Sequence, residues 1–168
     1  SRRLHNAWWL THSLVGSAAR VCYGNVYEIP TSLGEFDVVT AGSILLHLRD
    51  PFSALEQAAA AARSTVVVTD QMPVLARRNA VGALQLLRRV NPRLADRLLP
   101  DLIFLPDAAK SAPTDTWWRI SPNLVCRILR VLGFSHQTVT YHQQMYNYPV
   151  ARLIPMYTVV ASRQAPAD

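Results

Sequence analysis

The stretch Phe36-Asp37-Val38-Val39-Thr40-Ala41-Gly42-Ser43-Ile44-Leu45-Leu46-His47-Leu48-Arg49-Asp50-Pro51 decides the fold. Its first six residues are mostly apolar, include two adjacent β-branched valines and carry one charge, which predicts a buried β-strand over Phe36–Ala41. Asp50 and Pro51 predict a helix start, because Asp caps free amide groups and Pro suits the first helical position. A buried strand followed by a helix is typical of a parallel sheet covered on both faces.

The segments on either side extend this unit. The helix that begins at Pro51 is alanine-rich and is predicted to run to about Ala62, and Ser64–Asp70 (STVVVTD) then reads as a second buried strand. Strand, helix and strand in this order indicate a βαβ unit. Upstream, the pattern predicts a helix over Leu4–Gly16 and a short strand over Val21–Ile29 that stops at Pro30.

The second half of the chain predicts an insertion followed by a helix and a hairpin. Residues 71–116 hold a helical pattern over Arg77–Val90 and then a stretch interrupted by four prolines, which indicates an inserted helical lid over one edge of the sheet or a passive packing insertion. Ser121, Pro122 and Gly133 have the types expected at the cap, first turn and end of a helix. The segments Phe134–His142 and Pro155–Ser162 predict an antiparallel strand pair, because the link between them is too short for a helical crossover.

Length and composition exclude several classes of protein. The 168 residues suffice for one domain, and 50% of them are hydrophobic while 17% are charged, which excludes a disordered chain. No apolar stretch approaches the 18 to 20 or so residues of a membrane span, so no membrane partner is expected. The two cysteines exclude a disulfide framework and a four-cysteine zinc site, and they make a reducing, cytoplasmic location the default.

The basic and glycine residues limit which ligands this chain can hold. The net charge is +6, and ten of the 17 basic residues lie between Arg77 and Arg130. Arginine suits phosphate or carboxylate recognition, so this region is either a solvated helix face or an RNA-binding surface. The six glycines are never closer than eight residues, so the chain holds no glycine-rich phosphate loop.

Three segments together resemble a class I S-adenosylmethionine-dependent methyltransferase, similar to the tRNA wobble-uridine methyltransferase-like group. They are Gly24–Pro30 (GNVYEIP), Phe36–Pro51, and Trp117–Pro122 (WWRISP) with the helix after it. The resemblance implies an α/β fold over 1–168. Its parts are a partial Rossmann-like methyltransferase sheet with flanking helices, a lid over 71–116 and a C-terminal antiparallel hairpin. It also implies S-adenosylmethionine as cofactor and a small molecule or tRNA as substrate.

The resemblance also implies a cofactor site. Asn25 stands where the family has an acidic residue that accepts from the adenine amino group, and its amide oxygen still accepts without the charge. The backbone amide of Val26 would meet the adenine ring. The end of the next strand, Ala41-Gly42-Ser43, would line the methionine half of the cofactor, since ligands bind at the carboxyl ends of strands in open α/β sheets.

The same resemblance places the glycine-rich loop and the ribose-binding carboxylate of the family before Ser1. The sheet is then incomplete: the strand at Val21 has no neighbour, and the strand at Phe36 becomes an edge. Residues 1–168 alone are therefore expected to be inactive, with the centre of the sheet supplied by another segment.

His47 is the candidate base for an acceptor that loses a proton, because its free pKa is near neutrality. The alternative is that His47 packs against or caps the helix that starts at Pro51. Asp70 ends a predicted strand on the same side of the sheet, where it would touch substrate or cap the next turn. The histidines, cysteines and acids show no ligand spacing, so no metal is assigned.

Trp117, Trp118 and Arg119 are the candidate substrate-binding residues. Adjacent side chains on an extended segment point in opposite directions, so one indole would seal the core while the other faces the pocket. An indole with an arginine suits a planar or anionic substrate, although both indoles could belong to the core. The leading hypothesis is methyl transfer to an unidentified nucleophile. The alternatives are a non-catalytic α/β binding domain and an RNA-binding module.

Overall fold

The computed structural model describes residues 2–72, 86–87, 89–91, 94, 101–106, 116–146 and 151–164. The described residues form three helices with defined bounds and six strands. In chain order they are α1 (Arg2–Leu14), β1 (Phe36–Gly42), α2 (Pro51–Ala61), β2 (Ala62–Gln71), β3 (Leu102–Phe104), β4 (Trp118–Ile120), α3 (Pro122–Val131), β5 (His136–Tyr146) and β6 (Arg152–Ser162). Two short 3₁₀ turns, Thr31–Leu33 and Leu45–His47, flank β1.

The main sheet has the strand order β1-β2-β6-β5. β1 pairs in parallel with β2, which places Gly42 opposite Thr69. β6 is antiparallel to both of its neighbours, β2 and β5. The predicted βαβ unit and the C-terminal antiparallel hairpin are therefore confirmed, and the fold is α/β. β3 and β4 form a separate antiparallel pair.

The helices begin where the sequence provides caps. The Asp50 carboxylate accepts from the Ser53 backbone N–H at 3.0 Å, and the Ser121 hydroxyl oxygen accepts from the Leu124 N–H at 3.0 Å. Each cap satisfies an amide group that has no partner within its helix. Gly133, just beyond α3, has a φ of +92°, which glycine adopts without steric cost.

The core lies where the sheet, α2 and α3 meet. In β2 the alternate residues Val66, Val68 and Asp70 are buried, and the first two belong to the apolar core. The largest fully buried apolar side chains come from these three parts and from the turns beside them: Leu45, Leu55, Val66, Val68, Val125, Leu129, Phe134, Tyr157 and Val159. The carboxyl end of β2 therefore brings a charged residue into an otherwise apolar layer.

Two predictions near β1 are wrong in detail. Val21–Ile29 is not a strand: its backbone is irregular and turns at Val26–Tyr27. Among the described residues this segment pairs with no strand, and an isolated strand lacks the hydrogen bonds that stabilise it. β1 forms as predicted but is not buried, since Phe36 is 47% and Val38 52% exposed. The cause is its place at the sheet edge, which is itself as predicted.

The insertion over 71–116 is described only in part. Residues 86–87 and 89–90 are helical, in agreement with the predicted helix over Arg77–Val90, whose other residues lie outside the described part. β3 also falls within the insertion and pairs with β4 just after it. The role of 71–116 as a lid stays a prediction. Among the described residues, no helix combines the length and apolar character that crossing a membrane requires.

Candidate functional site

The carboxyl ends of β1 and β2 lie side by side and form one edge of the site. The Ser43 N–H donates to the Thr69 carbonyl at 2.7 Å, which continues the parallel ladder one residue past Gly42. Ser43 has a φ of +50°, a left-handed conformation that a residue with a side chain adopts at a steric cost. Such conformations cluster at functional sites.

Gly42 leaves open space at this edge. A Cβ atom built on Gly42 would meet no heavy atom within 4 Å among the described residues outside its immediate chain neighbours. The backbone there is accessible to a ligand, because no side chain covers it. Ala41, one residue earlier, is half-buried and packs against the core. The residues predicted to meet the methionine half of the cofactor therefore form an accessible strand end.

Asn25 and Val26 lie apart from that strand end. The Asn25 Oδ1 accepts from the Tyr27 N–H at 3.1 Å. This bond closes a tight turn between the Asn25 side chain and the backbone two residues later. Both residues line an apolar cleft of about 300 Å³, which Val39 and Ala61 also line. Ala41, Gly42 and Ser43 are not among the residues that line this cleft. The structure thus places the five predicted cofactor residues in two neighbouring groups rather than in one cavity.

His47 ends the 3₁₀ turn Leu45–His47, with its side chain exposed above two buried leucines. The turn is fixed from two directions. The His47 N–H donates to the Ile44 carbonyl at 2.9 Å, and the Leu46 carbonyl accepts from the Trp117 N–H at 2.7 Å. His47 is therefore held beside the segment that contains the predicted substrate residues.

Trp117 and Trp118 differ in their surroundings, although both rings lie near Phe104. Trp118 packs against the core and lies 5.1 Å from Phe104, measured between ring centroids. Trp117 stacks with Arg49, whose guanidinium carbon lies 5.2 Å from the ring centroid. Arg119, two residues on from Trp117, donates to the Gln71 side-chain oxygen at the end of β2.

Asp70 lies at the centre of this region. It is 2% exposed, its Oδ1 accepts from the Gln71 N–H at 2.6 Å, and its Oδ2 has no hydrogen-bond partner in the described part of the chain. Burial raises the pKa of Asp70 to about 6, opposed by the N–H groups of Gln71 and Leu46 and by the positive charges of Arg119 and His47. A buried carboxyl group with a perturbed pKa at a strand end is typical of functional sites.

Tyr157 of β6 lies directly opposite Asp70 in the antiparallel ladder. Its hydroxyl is buried and, like Asp70 Oδ2, has no hydrogen-bond partner among the described residues. Burial raises the pKa of Tyr157, and the nearby Asp70 carboxylate adds to this effect. Two buried oxygen atoms, Asp70 Oδ2 and the Tyr157 hydroxyl, therefore lack partners among the described residues and face the same layer beneath the site.

Sequence reasoning did not assign a role to Arg49, Gln71 or Tyr157. Their contacts are between segments distant in sequence, so no local pattern marks them. The strand alternation does place Tyr157 on the buried face, but the register that sets it opposite Asp70 depends on the hairpin geometry. Within the described ranges, no group of three or more His, Cys, Asp or Glu residues is arranged to hold a metal ion.

Comparison of the sequence with protein-family models gives no match, and comparison with curated proteins gives none either. Solved structures do resemble the fold. The N-terminal domain of EvdMO1 with SAH bound has 15% sequence identity and a TM-score of 0.54, over 92% of this chain and 58% of that one. An O-methyltransferase family protein from Burkholderia thailandensis has 11% identity and a TM-score of 0.52, over 99% of this chain and 42% of that one.

A SAM-dependent methyltransferase from Methanosarcina mazei gives a similar result, with 8% identity and a TM-score of 0.52 over 89% of this chain and 69% of that one. At these identities the likeness concerns the fold alone. The chain therefore shares the fold of SAM-dependent methyltransferases, and it spans about half of the length of the first two of these structures.

Proposed function

We propose that the protein transfers a methyl group from S-adenosylmethionine to a planar or anionic acceptor. The observation that carries this proposal is the accessible strand end formed by Gly42 and Ser43, within a fold shared with SAM-dependent methyltransferases. Open α/β sheets bind their ligands at this end of the strands.

Two features support this proposal: the open strand end for the methionine half of the cofactor and the cleft at Asn25 and Val26 for the adenine. Gly42 leaves room for a ligand against the backbone, and the left-handed Ser43 turns the chain away from the strand direction immediately after it. Ala41, Gly42 and Ser43 would hold the methionine half, and Asn25 and Val26 the adenine. Asn25 Oδ1 has a second lone pair besides the one engaged by Tyr27, so it can still accept from an amino group.

The acceptor side is formed by His47, Trp117 and Arg119. Trp117 presents an indole for stacking, while Arg119 supplies N–H donors and a positive charge suited to an anionic group. Trp118 supports this surface from the core side. When bound, the cofactor supplies an electrophilic methyl group on a sulfonium. The chain's own part is to align the acceptor, exclude water and take the acceptor's proton on a His47 imidazole nitrogen.

The exposed edge of β1 bears on how the site is completed. In the described part of the chain β1 pairs with β2 alone, and Phe36 and Val38 are about half exposed. An apolar edge strand of this kind favours pairing with another strand. We include in the proposal a further segment that pairs with β1 and supplies the glycine-rich loop and ribose carboxylate that Ser1–Asp168 lacks.

Calorimetry with S-adenosylmethionine tests the cofactor site in the full-length protein. We expect micromolar binding, which Gly42→Leu weakens at least about tenfold because the added side chain occupies the ligand's space. Ala60→Leu adds comparable bulk, three carbon atoms rather than four, to an exposed position of α2 and should leave affinity unchanged. Equal affinities for all three proteins would contradict the site. Micromolar binding by Ser1–Asp168 alone would contradict the need for a further segment.

Methyl transfer is tested with radiolabelled S-adenosylmethionine and two acceptor pools, a small-molecule extract and total tRNA. Label transferred to either pool identifies the acceptor class, and His47→Gln should slow that transfer about a hundredfold. Cofactor binding with no transfer to either pool would instead favour a non-catalytic binding domain. Tight RNA binding that weakens steeply with salt, with no cofactor binding, would favour the RNA-binding module.

A further inference from the structure

We propose that Asp70 is a positioning residue, whose buried carboxyl group holds the Leu45–His47 turn and Arg119 in place at the carboxyl edge of the sheet. This inference rests on the proposed function, because it gives His47 and Arg119 the roles described above. Asp70 itself is too buried to touch an acceptor in this conformation, so it acts through the groups around it.

Four segments meet at Asp70: the ends of β1 and β2, the Leu45–His47 turn and the start of β4. Ser43 bonds to Thr69, immediately before Asp70, and Asp70 Oδ1 accepts from Gln71 immediately after it. Arg119 of β4 bonds to the Gln71 side chain, and Trp117 bonds to the Leu46 carbonyl. The Leu46 N–H also lies close enough to the Asp70 carboxylate to stabilise its charge, so the strand ends, the His47 turn and the start of β4 meet around this carboxyl group.

Charged groups from two other elements face the Asp70 carboxyl group. His47 on the turn and Arg119 on β4 both stabilise its negative charge, while burial opposes it. Tyr157 faces it from β6, and Cys126 and Tyr141 lie near that tyrosine. Because Arg119 lies on β4 and His47, in its protonated form, carries a positive charge on the turn, the carboxylate attracts both elements toward the end of β2.

The buried Asp70 carboxyl group does not stabilise the fold. A buried carboxyl group with one oxygen lacking a partner costs free energy that an apolar residue would not. A simple cap of the next turn would engage the Met72 N–H, but that group donates to the Pro155 carbonyl at 3.0 Å. A costly group that faces the Leu46 N–H of the turn and two candidate site residues is better explained by positioning than by folding.

The electrostatic part is tested by following the Asp70 carboxyl-carbon NMR resonance against pH in the full-length protein. His47→Gln and Arg119→Gln should each move the Asp70 titration to higher pH, because each removes a positive charge that favours the carboxylate. His136→Gln is the control, since His136 pairs with Ser162 at the far end of the sheet. An Asp70 titration unchanged in both test variants would overturn the proposal.

The positional part is tested by amide hydrogen exchange, which needs neither cofactor nor acceptor. Asp70→Leu should speed exchange at Leu46 and His47 about tenfold, while central sheet amides such as Val66 exchange as before. Asp70→Asn, which keeps the shape and one acceptor oxygen, gives a smaller change and covers the case in which Asp70→Leu does not fold. A uniform change across the sheet, or none, would contradict positioning. Neither measurement depends on methyl transfer, so failure here is distinguishable from failure of the proposed function.

Discussion

Ser43 donates its backbone N–H to the Thr69 carbonyl at 2.7 Å while its own φ is +50°. The bond extends the β1–β2 ladder, and the positive φ turns the chain out of it. A serine pays a steric cost for this conformation that glycine does not. We therefore expect Ser43→Gly to raise the free energy of unfolding by about 1 kcal/mol, measured by urea denaturation.

The control for Ser43 is the reverse change at another left-handed position. Gly34 has a φ of +75°, and a Cβ there would meet nothing within 4 Å among the described residues beyond its chain neighbours. Gly34→Ala should lower the free energy of unfolding by about 1 kcal/mol through backbone strain alone. If Ser43→Gly also lowered stability, the strain at Ser43 would not be real. If it raised stability but weakened cofactor binding, the serine side chain would be serving the ligand.

Asp70 should make stability depend on pH. The unfolded carboxyl group has a pKa near 3.8 and the folded group a pKa of about 6, so the folded state binds more protons between these values. Stability then falls as the pH rises from about 4 to about 6 and is constant above. Asp70→Asn should not show this fall, because asparagine does not titrate. The free energy of unfolding of the variant minus that of wild type should therefore rise by about 3 kcal/mol as the pH goes from about 4 to about 8.

The measurement for Asp70 is urea denaturation of both proteins across that pH range. Glu56→Gln serves as the control, because Glu56 is exposed on α2 and makes no described contact with this site. A stability difference between Asp70→Asn and wild type that stays constant with pH would contradict the raised pKa. A pH dependence shared by Glu56→Gln and wild type but absent from Asp70→Asn would assign it to Asp70.

The local elements could be predicted from the sequence because their signals are local. Asp50 and Ser121 cap their helices as their types predict, and the adjacent valines of β1 form a strand. The burial of β1 could not be predicted, since it depends on which strand lies beside it. In the candidate site, too, only the features set by local sequence could be predicted. Strand geometry predicts that only one of the two adjacent tryptophans packs against the core, as Trp118 does, whereas the meeting of Asp70 with Tyr157 depends on the register of a distant hairpin.

The α3 cap should contribute more to stability than the α2 cap. Ser121 is fully buried, accepts from the Leu124 N–H and donates from its hydroxyl to Asp101 at 3.2 Å. Ser121→Ala removes both bonds and leaves buried groups unpaired, so we expect a loss of about 2 kcal/mol. Asp50→Ala removes an exposed cap and should cost about 1 kcal/mol in the same urea measurement. Equal costs would show that the Asp101 bond contributes nothing.

The two caps should also differ in their pH dependence. The Ser53 hydroxyl and backbone N–H lower the pKa of Asp50 below 3.8. A lowered pKa stabilises the fold above the unfolded value, and this contribution is lost as the pH falls through the folded one. The cost of Asp50→Ala should therefore shrink in acid, whereas the serine hydroxyl does not titrate in this range and the cost of its cap contacts should hardly change.

Arg163 should stabilise the ends of both sheet-packing helices. Its guanidinium donates to the Ala59 carbonyl of α2 at 3.1 Å and to the Leu132 carbonyl after α3 at 3.4 Å, and it lies 4.2 Å from the Phe134 ring centroid. Arg163→Ala should cost about 2 kcal/mol by urea denaturation. Arg63→Ala is the control, because its ion pairs with Glu35 and Asp37 are exposed and should contribute less than about 1 kcal/mol.

Substitutions of the two adjacent tryptophans should affect different properties, the stability of the fold for Trp118 and the binding of an acceptor for Trp117. Trp118 packs against the core beside Phe104, so Trp118→Ala leaves a cavity and should cost about 3 kcal/mol. Trp117 stacks with Arg49 outside that core, so Trp117→Ala should cost about 1 kcal/mol or less and instead weaken binding of a methyl acceptor. Urea denaturation measures the first effect, and the Michaelis constant for an acceptor found in the labelling experiment measures the second. If Trp117→Ala cost as much stability as Trp118→Ala and left the Michaelis constant unchanged, both indoles would be structural and Arg119 would be the remaining candidate for acceptor recognition.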